Sequence, residues 1–216
     1  MNRRASLAFY WVFRGLIVLF CRAFWRVTVE GKEHLPKSGA FIVSPIHRSN
    51  IDFAVVAAIT SRRMRYMGKD TLWKVKPAGW FFTAMGGFPV RRGTADREAL
   101  RRCADVIEGG EPLVLFPEGT RQTGPLVGEV FDGAAFLAAR TGVPVIPIGV
   151  GGSEPAMPKG AKYLKPVKVH VVIGAPLHPE RSDTGKASRR AVRELSERLR
   201  DELQRLFDEA QRKAGA

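Results

Sequence analysis

Cysteine is nearly absent: Cys21 and Cys103 are the two in 216 residues. That excludes a disulfide scaffold and any cysteine-rich zinc or iron–sulfur site. Acid is scarce too, 21 Asp plus Glu against 35 Lys plus Arg, a formal net charge of +14. No apolar run approaches the roughly 18 uninterrupted residues of a spanning helix. Internal repeats, low-complexity linkers and clusters with metal-ligand spacing are missing as well. What is present is globular: 45% hydrophobic and 26% charged residues, a balance that rules out disorder for the chain as a whole. The length suits one domain with one sizeable core. Its basic excess calls for an anionic partner, whether nucleic acid, a phosphorylated metabolite or an acidic membrane surface.

Residues 1–26 hold Arg3, Arg4, Arg14, Arg22 and Arg26 and no acidic residue. On an ideal helix these arginines share an arc of about 140°. Phe9, Phe13, Leu16, Phe20 and Phe24 form a stripe on the opposite side. Trp11 and Trp25 add rings of the kind that settle at a lipid–water boundary. The pattern predicts an amphipathic helix lying in a membrane interface, stripe in the acyl region and arginines on phosphates. A signal peptide is disfavoured because Arg14 breaks its apolar core and no small-residue cleavage site follows. The other alternative is a helix packed on the protein's own core.

Extended apolar segments at 26–30, 41–44, 65–68, 88–90, 113–116, 145–150 and 167–173 alternate with helical patterns near 53–61, 71–84, 95–108 and 130–141. This alternation predicts an α/β fold, one domain with a mostly parallel central sheet flanked by helices. Segments such as PLVLF and VPVIPIGV are apolar on both faces, as in a sheet covered on both sides. From Lys186 the chain reads as one charged helix with Val192, Leu195, Leu199, Leu203 and Leu206 along its inner edge. The expected organisation is 1–26 as interfacial anchor, 27–185 as the main domain and 186–216 as a helix packed on it.

Reactive chemistry gathers in short segments. In SPIHRSNIDF, 44–53, His47 follows a strand and Asp52 opens a helix. Histidine accepts a proton near neutrality, and a carboxylate on its second nitrogen fixes the tautomer and steadies the imidazolium. Alternatively, Asp52 is a helix cap and His47 an ordinary loop histidine. Neither Ser49, which lacks a Gly-x-Ser-x-Gly elbow, nor Cys103, within a helical stretch, makes a convincing nucleophile. A base without a protein nucleophile points to a substrate hydroxyl in that role.

In LFPEGTRQTG, 115–124, a strand delivers Glu118, Gly119, Thr120 and Arg121 at its C-terminal end, where α/β folds place ligands. Gly119 permits close backbone approach; Thr120 and Arg121 offer donors for a phosphate. Glu118 would accept from a substrate hydroxyl or hold Arg121. The alternative is a plain turn with a surface ion pair. GGFPVRRG, 86–93, presents Arg91 and Arg92 from a strand end, within a stretch (61–102) of eleven basic and three acidic residues. Trp73, Trp80, Phe81 and Phe82 are interleaved there, a surface fit for nucleic acid, lipid head groups or a carrier's phosphates.

In this order the segments resemble the glycerophospholipid acyltransferase family, of the 1-acylglycerol-3-phosphate type. The family's His-x-x-x-x-Asp motif corresponds to His47–Asp52, its Gly-rich block to Gly86–Arg92 with Arg92 at the arginine position, and its Phe-Pro-Glu-Gly-Thr-Arg block to Phe116–Arg121 unchanged. The apolar, proline-containing block is matched by Val143–Ile148, and Pro89 stands where the family often carries a bulky aliphatic.

The resemblance implies acyl transfer from acyl-CoA or acyl carrier protein to lysophosphatidic acid, giving phosphatidic acid. His47 would be the base oriented by Asp52, with no acyl-enzyme. Arg92 and Arg121 would clamp the acceptor phosphate, and Glu118, Gly119 and Thr120 would shape the site. No metal or other cofactor is expected. The expected partners are an anionic membrane surface, the acyl donor and a lysophospholipid, not nucleic acid, at the cytoplasmic face of the cell membrane. Rival readings are a sister enzyme using glycerol 3-phosphate or another lyso-lipid, and a non-catalytic membrane or nucleic-acid binding module.

Overall fold

The computed structural model describes residues 3–90, 97–158, 160–180 and 188–216, with side chains from Leu7 onward. Arg91 and Arg92, and the boundary expected at 185/186, lie outside the described residues. A central sheet of seven described strands carries the molecule: β1 (Thr28–Glu30), β2 (Ile42–Pro45), β3 (Arg65–Lys69), β4 (Gly87–Val90), β5 (Leu113–Val114), β6 (Val145–Gly151) and β7 (His170–Ile173). Their order is β1-β7-β6-β2-β5-β3-β4. Every pairing is parallel except β6 with β7. The mostly parallel α/β architecture expected from the alternation of apolar segments is therefore the one found. All residues of β2, β5, β6 and β7 are buried, which is why these strands read as continuous apolar runs.

The helices are α1 (Arg3–Phe24), α2 (Asp52–Val56), α3 (Lys76–Ala84), α4 (Arg97–Glu108), α5 (Gly133–Thr141) and α6 (Arg189–Ala214). Helix α2 is shorter than the pattern over 53–61 predicts, and the stretch 71–84 divides into a 3-10 turn, Asp70–Trp73, and α3. Pro77 in the first turn of α3 lacks an N–H and favours a helix start. Helix α6 buries Val192, Leu195, Leu199, Leu203 and Leu206 and lies directly on β6. A Cβ at Gly149 would stand 2.3 Å from the Leu206 carbonyl oxygen, and one at Gly151 2.2 Å from that of Ala210. Only glycine in β6 lets the helix backbone come so close.

Two expectations about α1 need correction. Leu7–Phe24 is, by length and composition, apolar enough to cross a membrane, with mean hydropathy 1.7 over 18 residues. Arg14 and Arg22 interrupt the apolar run without lowering that mean far. Second, the aromatic stripe does not all face outward. Phe9 meets Trp80 edge-on at 4.9 Å and Phe13 meets Phe81 at 5.7 Å, so both rings turn toward α3, while Phe24 packs on the core. The exposed large apolar side chains of α1 are Trp11, Val12, Leu16, Leu19 and Phe20. Arg14 turns inward and its Nη2 donates to the Ala57 and Thr60 carbonyls, where the end of α2 leaves acceptors unfilled.

Candidate active site

Strands β2 and β5 are neighbours, paired at Val43 with Val114, so the segments leaving their C-terminal ends meet at one edge of the sheet. His47 and Asp52 sit on the first; Phe116 to Arg121 form the second. The Nδ1 of His47 lies 2.9 Å from Asp52 Oδ2, and both side chains are buried. The same Oδ2 accepts the backbone N–H groups of Arg48 and Ser49, each at 2.7 Å. Asp52 is thus fixed by three donors, and an ionised carboxylate there assigns the imidazole proton to Nδ1. Nε2, left with a lone pair, has no partner among the described residues. The ring is held between Phe116 (centroids 4.2 Å) and Phe53 (5.4 Å).

Glu118 departs from expectation. Neither facing a free hydroxyl nor holding Arg121, it is buried and pairs with Arg48, whose Nη1 donates to Oε1 at 2.9 Å and to Oε2 at 3.1 Å. It also accepts the N–H of His47 at 2.8 Å and of Gly128 at 3.0 Å. The His47 carbonyl in turn accepts the N–H of Gln122 at 2.9 Å. One segment therefore pins the histidine backbone from both sides, a physical reason for the two motifs to occur together. Glu118 shapes the site by building the floor under His47.

Arg48 is the residue that sequence reasoning missed. It is 1% exposed, donates to the Leu126 carbonyl at 2.8 Å, and lies over the Phe207 ring of α6 at 4.8 Å. Its signal was available: an arginine inside the His-x-x-x-x-Asp loop and a glutamate at the end of a second apolar strand, once those strands are neighbours. Gly119 adopts φ +66°, so the turn has a conformational need of glycine. Thr120 is exposed and its hydroxyl accepts from Gln122 Nε2. Arg121 is half-buried, with Nη1 shielded from solvent and unpaired among the described residues. Arg92 lies outside the described residues.

Ser49 and the two cysteines are engaged or inert. Ser49 Oγ donates to the Met157 carbonyl at 3.0 Å. Burial pushes the Cys21 thiol up to about 11 and the Cys103 thiol up to about 12, where thiolate is negligible at neutral pH. Beside the site, Phe53 and Asn50 also line an apolar cavity of about 310 Å³ that continues past Tyr66, Met67, Phe81 and Phe82. The site therefore combines an oriented imidazole with an adjoining apolar chamber.

A buried His–Asp pair thus stands at the C-terminal ends of neighbouring parallel strands, beside an apolar cavity. Residues 26–151 match the family model described as Acyltransferase, and the chain belongs to that family. It is 32% identical over 165 residues to the 1-acyl-sn-glycerol-3-phosphate acyltransferase LPAT1 of Arabidopsis thaliana chloroplasts, covering 74% of this chain and 46% of the relative. With the 1-acyl-sn-glycerol-3-phosphate acyltransferase of Bacillus subtilis it shares 28% over 153 residues, covering 70% and 74%. The chain spans about half the length of the chloroplast relatives it matches. The crystal structure of the 1-acyl-sn-glycerophosphate acyltransferase PlsC from Thermotoga maritima superposes with a TM-score of 0.77 at 27% identity, covering 97% of this chain and 83% of that one.

Proposed function

We propose that this protein transfers a fatty acyl group from an acyl thioester, acyl-CoA or acyl carrier protein, to the free hydroxyl of lysophosphatidic acid, giving phosphatidic acid. The observation that carries the reading is the His47 Nδ1–Asp52 Oδ2 contact of 2.9 Å, with Nε2 unpartnered and Phe53 linking the imidazole to the apolar cavity. In this mechanism Nε2 removes the proton from the acceptor hydroxyl as its oxygen bonds to the thioester carbonyl carbon. The tetrahedral adduct collapses with cleavage of the C–S bond, and the imidazolium returns its proton to the departing thiolate. Asp52 steadies the imidazolium without taking its proton. The adjoining cavity takes the acyl chain, and holding both substrates against the base supplies much of the acceleration.

Arg121 and Arg92 are proposed to bind the acceptor phosphate. The shielded, unpaired Nη1 of Arg121 supports its part in this, because a buried guanidinium donor is costly until an anion meets it. Glu118, Gly119 and Thr120 set the shape of that corner. No metal or further cofactor takes part, and the net charge of +14 serves phosphate-bearing substrates and an anionic membrane surface, not nucleic acid. The exposed apolar face of α1 supports association with that surface at the cytoplasmic side, where acyl thioesters are made.

Thioester consumption by the purified protein, with and without acceptor, tests the reading. Consumption of acyl-CoA that depends on lysophosphatidic acid and yields phosphatidic acid is expected. Equal consumption without acceptor would make the protein a thioesterase; glycerol 3-phosphate as the preferred acceptor would favour the sister reaction; no consumption with either donor would leave only a binding module.

A further inference from the structure

A second cleft, of about 630 Å³, opens between α1, the turn Lys32–His34 and the chain that follows α2. It lies at the far end of α2 from Asp52, on the side where β2 and β3 begin. Five cations line it, Arg14, Arg22, Lys32, Lys37 and Arg62, and no acidic side chain among the described residues does so. Two of them are anchored: Arg14 on the Ala57 and Thr60 carbonyls, and Arg62 on the Pro36 carbonyl and against the Phe41 ring. Arg22, Lys32 and Lys37 are exposed and have no ion pair among the described residues. The floor is apolar, with Val18, Leu35 and Ile59.

Cations gathered without a counter-charge repel one another, and a phosphate relieves that repulsion while accepting from several donors at once. The cleft's place on α1 narrows the source of that phosphate. Arg14, Val18 and Arg22 recur every four residues and form one row along the helix. The exposed Trp11 stands beside this row, with the Arg14 guanidinium 5.8 Å from its ring centroid, and the exposed Val12, Leu16 and Leu19 lie further round the helix. A phosphate in the cleft would thus sit near a ring of the kind that settles at a lipid–water boundary.

We propose that this cleft binds the phosphate of an anionic phospholipid head group, as a site separate from the one around His47. The cleft orients the protein on the bilayer by gripping a lipid that is not turned over. This rests on the reading of α1 as the lipid-facing helix.

The test measures binding of the full chain to vesicles of phosphatidylcholine alone or with phosphatidylglycerol. Two double charge reversals of equal size are compared, Lys32→Glu with Lys37→Glu in the cleft, and Arg198→Glu with Arg200→Glu on the exposed side of α6. The cleft variant should lose at least about tenfold in affinity for anionic vesicles and the α6 variant less than about threefold. Acyl transfer to a short-chain acceptor in detergent should keep its acceptor KM in both. Equal losses would reduce the effect to net charge and overturn the site, as would no loss in the cleft variant. Inorganic phosphate, at ionic strength matched with KCl, distinguishes the sources: if it displaces the protein, the cleft takes a free anion and the lipid assignment fails. Leu16→Ser with Leu19→Ser tests the underlying reading separately, by loss of binding to both kinds of vesicle. If that variant binds as before, the lipid-facing role of α1 falls and the proposal with it.

Discussion

Two histidines in this molecule stand beside carboxylates, and their surroundings differ. His47 gives Nδ1 to Asp52 and keeps Nε2 open toward the site. His170, at the other side of the sheet, has Nδ1 2.6 Å from Thr28 Oγ1, while its Nε2 is shielded from solvent, 3.2 Å from Glu30 Oε1 without a hydrogen bond. The carboxylates differ as well. Asp52 is fully buried and held by two backbone N–H groups, whereas Glu30 is half-exposed and shared with Lys213. An imidazole next to an acid is therefore not a sufficient sign of a base. The two differ in whether the second ring nitrogen is open or shielded and in how firmly the acid is held.

The widest separation between the two histidines is expected in rate. His47→Ala should reduce acyl transfer by about 10³-fold, within the usual range for removal of a general base, while the far-ultraviolet spectrum stays native. His170→Ala should leave kcat within about twofold, because it reaches no substrate. Near wild-type turnover in the His47 variant would erase the distinction.

A second contrast sets the buried Arg48–Glu118 pair against the exposed pairs of α6, such as Arg190 with Glu194. Glu118→Gln leaves Arg48 buried without a charge partner and should cost about 3 kcal/mol in urea unfolding. Replacing Glu194 by Gln should cost under about 0.5 kcal/mol. Because Glu118 also holds the His47 N–H, its loss should lower kcat as well. A Glu118 variant as stable as the parent would show that the pair is not the brace described.

These contrasts mark where the sequence could be read and where it could not. All seven strands were legible, most plainly β2, β5, β6 and β7, which are buried on both faces and so read as apolar runs. The His47–Asp52 spacing could be seen because the partners are five residues apart. Arg48 and Glu118 are 70 residues apart, and nothing in either segment says which strands will be neighbours; the parallel pairing of β2 with β5 decides it. The same holds for α1. Helical periodicity placed its arginines on one arc, but whether Phe9 and Phe13 faced lipid or α3 depended on Trp80 and Phe81, far along the chain. Local pattern fixes which groups can share a face, and only tertiary packing says what that face meets.

Arg121, left without a strong pair, sharpens the contrast by a smaller amount. Arg121, with one nitrogen shielded and unpaired, should matter for binding where Arg48 matters for stability. Arg121→Ala is expected to raise the acceptor KM by about tenfold, with kcat and donor KM little changed, the signature of lost uniform binding. A change confined to donor saturation would reassign Arg121 to the phosphates of CoA or the carrier.

The smallest effect tests the idle histidine through its proton. Burial lowers the His170 pKa below its ordinary value, with Glu30 opposing. The unfolded chain then binds this proton more readily than the folded one, so stability is intact above about pH 6.5 and declines as pH falls through the unfolded value. Glu30, held below the usual carboxylate range chiefly by its hydrogen bond from Lys213, contributes stability that is lost only at more acid pH, as the medium falls through the carboxylate range. Unfolding in urea at pH 7.5 and 5.5 therefore separates the histidine from Glu30, and comparison with a His170 variant removes the contribution of the other histidines. His170→Gln, which keeps a side-chain acceptor for Thr28 while removing the titration, should flatten the decline between these two pH values. An unchanged slope would mean that His170 meets water in the folded chain much as it does in the unfolded one, and the physical difference between the two imidazoles would then rest on Nε2 access alone.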